Sequence, residues 1–280
     1  MLSAATKLLR VPRSALSVAA YCGFQVAQSA DLRRAMFNSL RLNRVETERL
    51  VGMRELRFLA YVFAHRHESR SQILQDLWVC FELEGLRDGF FVEFGATNGV
   101  KNSNTYLLEH KYHWKGILAE PNPFWHAQLR ENREGDNVAI DHRCVSSTTG
   151  KTVEFLTTDT ADPELSGIAE FADGDHFSAV RSSGKSLQIE TLSLQDLLAQ
   201  HHAPSTIDYL SIDTEGSEYD ILSNFDFSTR SRLISVEQNT KTEAKLEALL
   251  AQRGYVRVFK EFSQWDGWYV SREHLQQSQR

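Results

Sequence analysis

The sequence predicts an α/β protein of Rossmann-like winding: a mostly parallel sheet closed by an antiparallel hairpin and preceded by a helical N-terminal extension. Three observations carry this expectation. From Ser71 onward, short apolar runs alternate with helical stretches, as strand-helix-strand units require. The last two apolar runs lie too close together for a crossover helix and read as a hairpin. Charge also divides the chain, because residues 1–75 hold 12 Lys or Arg against 5 Asp or Glu, while the following 205 residues carry a net −13. The expected organisation is an extension over residues 1–70 and a main domain over residues 71–280.

Taken in order, residues 1–30 contain Lys7, Arg10 and Arg13 and no acid before Asp31. They read as an exposed helical arm of a cytoplasmic protein, with targeting or membrane-surface contact as the alternative. The uncharged stretch from Ser14 to Ala30 is diluted by Ser14, Ser17, Gln25, Gln28 and Ser29, so no transmembrane helix is expected. Further along, Leu50, Met53, Leu56, Phe58, Leu59 and Val62 form an apolar stripe at helical spacing, of the kind that buries against a partner domain. The basic extension carries no nucleic-acid motif and the whole chain is net −6, so intramolecular docking or an anionic partner is expected rather than nucleic acid.

The main domain opens with a buried strand at Gly89–Phe94, then a helix near Ser103–Lys111, a strand at Lys115–Glu120 and a helix from Pro123. Asn137–Cys144 reads as the third strand and Lys151–Thr157 as an added one. A helix at Leu192–Gln200 and a fourth main strand at Ile207–Ile212 follow. Helix Ser217–Ser223, strand Leu233–Glu237, helix Thr242–Gln252 and strands Tyr255–Phe259 and Gly267–Val270 complete the series. Thr158–Lys185, rich in Thr, Asp, Gly and Ser, is expected as a long loop over the sheet. With 41% hydrophobic and 24% charged residues the chain suits a folded domain. Cys22, Cys80 and Cys144 lie far apart with no CxxC pair, which argues against a disulfide framework and a zinc site.

In an open α/β sheet ligands bind beyond the carboxyl ends of the strands where the winding reverses, so strand tips hold the candidate site. Strand one runs into Glu93, Phe94, Gly95, Ala96, Thr97, Asn98 and Gly99, where glycines permit close approach and Glu93 can accept from an ammonium or ribose. The GxGxxG fingerprint is absent, which disfavours a nicotinamide oxidoreductase. Strand two ends in Glu120, placed to take both hydroxyls of a ribose. Strand four runs into Asp213, Thr214, Glu215, Gly216, Ser217 and Glu218. Helix capping by Ser217 or Thr214 explains part of this cluster but not Asp213. Asp213, Glu237 and Asn239 form an oxygen-rich set suited to Mg²⁺, with hydrogen bonding to substrate hydroxyls as the competing use. Among the histidines His110, His113, His126, His142 and His176, only His176 lies in the long loop. Trp114 and Trp125 read as packed between helix and sheet, with stacking on adenine or a sugar as the alternative, and Trp265 and Trp268 read as core or rim.

The ordered set of motifs resembles the FkbM family of S-adenosylmethionine-dependent methyltransferases over roughly residues 70–271. It comprises Ser71, Gln72, Gln75 and Asp76; the turn Phe91–Gly99; Asn102–Thr105; Glu120-Pro121-Asn122-Pro123; the stretch Asp208–Leu222; Val236–Asn239; and Trp268-Tyr269-Val270. The first turn departs from the family's common DxGANxG form. The resemblance implies a class I methyltransferase fold with a seven-stranded sheet, and O-methylation of a sugar, glycan or other small-molecule acceptor. It implies that Glu93, Gly95 and Gly99, with Ala96, Asn98, Ser103, Asn104 and Asn122, surround the cofactor. By the same carry-over Glu120 holds the ribose diol, Cys144 and Val145 flank adenine, and Asp213 lies beside the sulfonium. Asp213 is the expected base, with Glu215 and Glu237 as positioning groups. The reading from another class is an inactive scaffold working through its basic arm.

Overall fold

A computed structural model describes residues 29–42, 53–158, 163–171 and 184–277. The arm expected over residues 1–30 and His176 lie, save for Ser29 and Ala30, outside these residues. The chain divides into two compact units, residues 1–59 and 60–280. In the first, the described residues form α1 (Ala30–Leu42) and the opening of α2 (Arg54–His65), which continues into the second. The apolar stripe does not bury as a whole. Phe58 is buried, whereas Met53, Leu56, Leu59 and Phe63 are exposed. At 100° per residue, Leu56, Leu59 and Phe63 share a face, and Phe58 lies on another side of the helix. None of the described helices is long and apolar enough to cross a membrane.

The second unit continues with α3 (Gln75–Glu82), β1 (Phe90–Phe94), α4 (Tyr106–Tyr112), β2 (Lys115–Ala119), α5 (Pro123–Arg133), β3 (Val138–Asp141), β4 (Cys144–Ser146) and β5 (Thr152–Thr157). Next come β6 (Gly167–Ile168), β7 (Lys185–Ser193), α6 (Leu194–Gln200), β8 (Thr206–Ile212), α7 (Glu218–Asn224) and β9 (Arg230–Glu237). The unit ends with α8 (Glu243–Gln252), β10 (Tyr255–Val258), β11 (Asp266–Ser271) and α9 (Arg272–Gln277).

Seven strands form the main sheet in the order β10-β11-β9-β8-β1-β2-β3. All neighbours are parallel except β11, which runs antiparallel to both β9 and β10. The sheet and its inserted antiparallel strand are those the sequence predicts. Winding reverses between β1 and β8, so a crevice opens beyond their carboxyl ends. Buried Val92, Ile117, Leu197, Leu210, Leu222 and Leu246 belong to one large core cluster. Elsewhere Trp78 stacks on Trp268, their ring centroids 5.1 Å apart.

Two parts differ from expectation. The run Asn137–Cys144 is not one strand: β3 stays in the main sheet, while β4 joins a second sheet of order β4-β7-β5-β6. Asp141 marks the break, because its carboxylate accepts from Arg143 N and from the Arg143 guanidinium, which turns the chain. Strand β7 begins at Lys185, where the expected loop ends, and runs into the start of the helix expected at Leu192–Gln200; its alternation of Leu187, Ile189 and Thr191 with Ser186, Gln188 and Glu190 has one solvent-facing row. The helix therefore starts at Leu194, capped by Ser193 Oγ accepting from Asp196 N at 3.1 Å.

A carboxylate-lined cleft at the strand tips

At the tip of β1 the chain turns through Gly95, whose φ of +69° suits glycine. A Cβ there would lie 2.2 Å from the Asp213 carbonyl oxygen, so the tips of β1 and β8 meet at contact distance only because this residue has no side chain. The Gly95 and Ala96 amides donate to the Ala119 carbonyl and stitch the turn to β2. Beyond β2, Asn122 caps α5 by accepting from Phe124 N at 3.0 Å, with Pro123 opening the helix.

These turns frame a cleft. Of the residues the sequence singled out, Gly95, Asn104, Glu120, Cys144, Val145, Asp213 and Glu215 line it. Gln72, Gln75, Thr97 and Trp125 also line it, and Trp125 is at the same time buried as expected. Glu120 is 4% exposed. Its two oxygens accept from Thr97 N and Asn122 N, both at 2.7 Å. No cation among the described residues offsets its burial, which pushes its carboxyl up to about 7. Asn104 donates Nδ2 to Ser211 Oγ at 3.0 Å, while its buried Oδ1 has no hydrogen-bond partner. Trp125 Nε1 is likewise buried without one.

Other expected contacts fall elsewhere. Glu93 does not reach the cleft. Its carboxylate accepts from Asn104 N at 2.6 Å and from the hydroxyls of Ser103 and Thr105, so its lone pairs are occupied within the protein. Asn98 Oδ1 caps the amides of Val100 and Lys101. Gly99 lies against Arg133, and Ala96 is buried away from the cleft wall. Asn122 Nδ2 donates to Ser166 Oγ at 3.1 Å.

Asp213, Glu215 and Glu237 offer carboxylate oxygens within 4.8 Å of one another. Burial and repulsion from Glu215 push Asp213 well above the usual range, with Glu237 hydrogen-bonded to it. Glu237 is raised by burial and by Asp213 in turn. Two carboxyls bonded to each other share one proton. Glu218, expected only as a helix-end acid, accepts from Thr214 N, Thr214 Oγ1 and Gly216 N and so holds the turn that carries Glu215. Asn239 lines a small pocket with Glu215 and Glu237, and its Oδ1 accepts from Lys241 N and Thr242 N. Glu215 comes beside Asp213 and Glu237 on a turn where its φ is +59°, which the sequence does not show.

The described part of the expected long loop is not irregular. Residues 163–171 form two short 3-10 turns about β6. Pro163, Glu164, Leu165 and Ser166 line the cleft. Glu164 pairs with Lys101 at 2.9 Å, and Gly167 and Gly216 leave room for Glu215 and Phe171. His126 stacks on His142, and no histidine among the described residues lines the cleft.

A model of the family described as the methyltransferase FkbM domain matches residues 93–257. No curated protein matches the chain in sequence. Among solved structures, the chain is similar to a precorrin-6y C5,15-methyltransferase of Geobacter metallireducens, at 12% identity and a TM-score of 0.37, covering 70% of this chain and 85% of that one. It is also similar to a candidate RNA methyltransferase of Pyrococcus horikoshii, at 11% identity and a TM-score of 0.34, covering 66% and 67%. A third is a candidate sarcosine dimethylglycine methyltransferase of Galdieria sulphuraria, at 10% identity and a TM-score of 0.35, covering 66% and 62%.

Proposed function

The chain belongs to the FkbM methyltransferase family, and from that premise we propose that it transfers a methyl group from S-adenosylmethionine to a hydroxyl of a sugar, glycan or other small-molecule acceptor. The observation that carries this reading is the pairing of Glu120 and Asp213 in one cleft at the reversal of the sheet. The donor set fits a methionine nucleoside. Its acidic and basic side chains are Glu120, Glu164, Asp213 and Glu215 with Lys101, which is paired to Glu164, so the cleft favours a cationic, phosphate-free ligand. Its orphaned acceptor on Asn104 and donor on Trp125 are buried groups that a ligand would satisfy.

In this reading Glu120 accepts the ribose diol, Cys144, Val145 and Trp125 wall the base, and Asn104 faces the amino-acid half. S-adenosylmethionine supplies an electrophilic methyl group on a sulfonium centre. The protein's own part is alignment and proton removal. Asp213 accepts the proton of the acceptor hydroxyl. Glu237, bonded to it, holds Asp213 in place, while burial and the neighbouring charge of Glu215 raise its basicity. Gln72, which lines the same cleft, offers an amide to further hydroxyls of a polyol acceptor.

The test is transfer of labelled methyl from S-adenosylmethionine to a panel of saccharides and other polyols, with matched amine and thiol acceptors. Transfer to hydroxyl acceptors, lost in Asp213→Asn, supports the proposal. Transfer confined to nitrogen or sulfur would overturn it.

A further inference from the structure

Residues 99–105 leave the β1 turn and come back against the sheet, held by two buried charges on opposite sides. Arg133, the last residue of α5, has a side chain with no exposed surface. Its Nη1 donates to the Gly99 carbonyl at 2.8 Å and to Ser103 Oγ at 3.2 Å, its Nη2 to Thr105 Oγ1 at 3.1 Å and its Nε to Glu109. Glu93 accepts from the same two hydroxyls and from Asn104 N. Each hydroxyl therefore accepts from the guanidinium and donates to the carboxylate, a bridge between two opposite charges. Such buried pairs cost desolvation and are poor sources of net stability, but they fix geometry where every partner is satisfied.

What they fix here is Asn104. It is the residue between the two bridging hydroxyls, it is 7% exposed and lines the cleft, and its Oδ1 is left without a donor. Its amide nitrogen is tied to Ser211 on β8, on the far side of β1 from Glu120 at the tip of β2. Asn104 and Glu120 both line the one cleft.

We propose that Arg133, acting with Glu93 through Ser103 and Thr105, is a positioning residue that presents Asn104 Oδ1 to the ammonium group in the amino-acid half of the methionine nucleoside. This rests on the cleft being the nucleoside site.

The experiment compares two ligands by calorimetry on the full chain. S-adenosylhomocysteine carries the amino-acid half, and 5′-deoxy-5′-methylthioadenosine is the same nucleoside with that half cut back to a methyl group. Arg133→Met should weaken the first by about tenfold or more while changing the second by less than about twofold. Asn104→Ala should do the same, and the double variant should be no weaker than either alone. Should Arg133→Met fail to fold by thermal unfolding, Ser103→Ala removes one bridge and leaves the Thr105 bridge, and makes the same comparison. Equal losses for both ligands would reduce Arg133 to general packing and overturn the proposal, as would no loss for either. A wild-type chain that binds neither ligand would instead overturn the reading of the cleft, and this inference with it.

Discussion

Affinity for the methionine nucleoside should depend on pH through Glu120. In the free protein, burial without a counter-cation raises this carboxyl from 4.5 to about 7, although two backbone amides already donate to it. Ribose hydroxyls donate best to the ionised form, so ligand binding favours loss of the proton. A tenfold change in affinity corresponds to about 1.4 kcal/mol, so affinity should rise close to tenfold per pH unit between about pH 5 and 7 and level off above about 7.5. The assay is calorimetric titration with S-adenosylhomocysteine in two buffers of different ionisation enthalpy. Close to one proton should be released per ligand at about pH 6 and almost none at about pH 8.5. Glu120→Gln should flatten the profile and, at high pH, weaken binding by about 1–3 kcal/mol. A slope that survives in Glu120→Gln, or a flat profile in the wild type, would refute the assignment of the diol to Glu120.

Asp213→Asn should cut methyl transfer by about 10²–10⁴-fold while changing cofactor affinity only a few-fold, and transfer at the wild-type rate would remove Asp213 as the base. Gly95→Ala places a Cβ 2.2 Å from the Asp213 carbonyl at a φ of +69°, so it should lower the melting temperature and weaken cofactor binding together. An unchanged melting curve would show that the strand tips are not in contact. Stability should fall as pH rises from about 4 to 7, because Glu120 and Asp266 are both raised to about 7 by burial. A group raised in the folded state contributes fully below its unfolded value and loses that contribution through its folded value. The opposite case is Asp141, where hydrogen bonds from Arg143 and His201 outweigh burial and hold the carboxyl at about 2, so its contribution is lost only in stronger acid. Asp266→Asn should shallow the decline in a denaturant series at pH 5 and 8, and an undiminished decline would contradict Asp266's part in it.

The sheet is readable in the sequence because its strands are short apolar runs bounded by turn residues, and the tips at Gly95, Glu120 and Asp213 follow directly from where those runs stop. Of the second sheet, β5 is readable as the added strand at Lys151–Thr157, but β7 is not, because half of its pattern is Ser, Gln and Glu and resembles a solvated loop. Glu93 reads as a ligand contact because the sequence cannot show that Ser103–Thr105 fold back onto it. Arg133 gives no signal for a related reason: an arginine closing a helix ordinarily lies in solvent, and only the return of residues 99–105 buries it. The acidic cluster is legible as a composition, but that Glu215 stands beside Asp213 and Glu237 is set by the turn at Glu215.

The most direct measurement is titration of the purified chain with S-adenosylmethionine, S-adenosylhomocysteine and NADH, each with Mg²⁺ present and chelated. Micromolar binding of both methionine nucleosides and no binding of NADH is the predicted result. Binding of NADH, or of none of the three, would contradict a methyl-donor cleft at these strand tips.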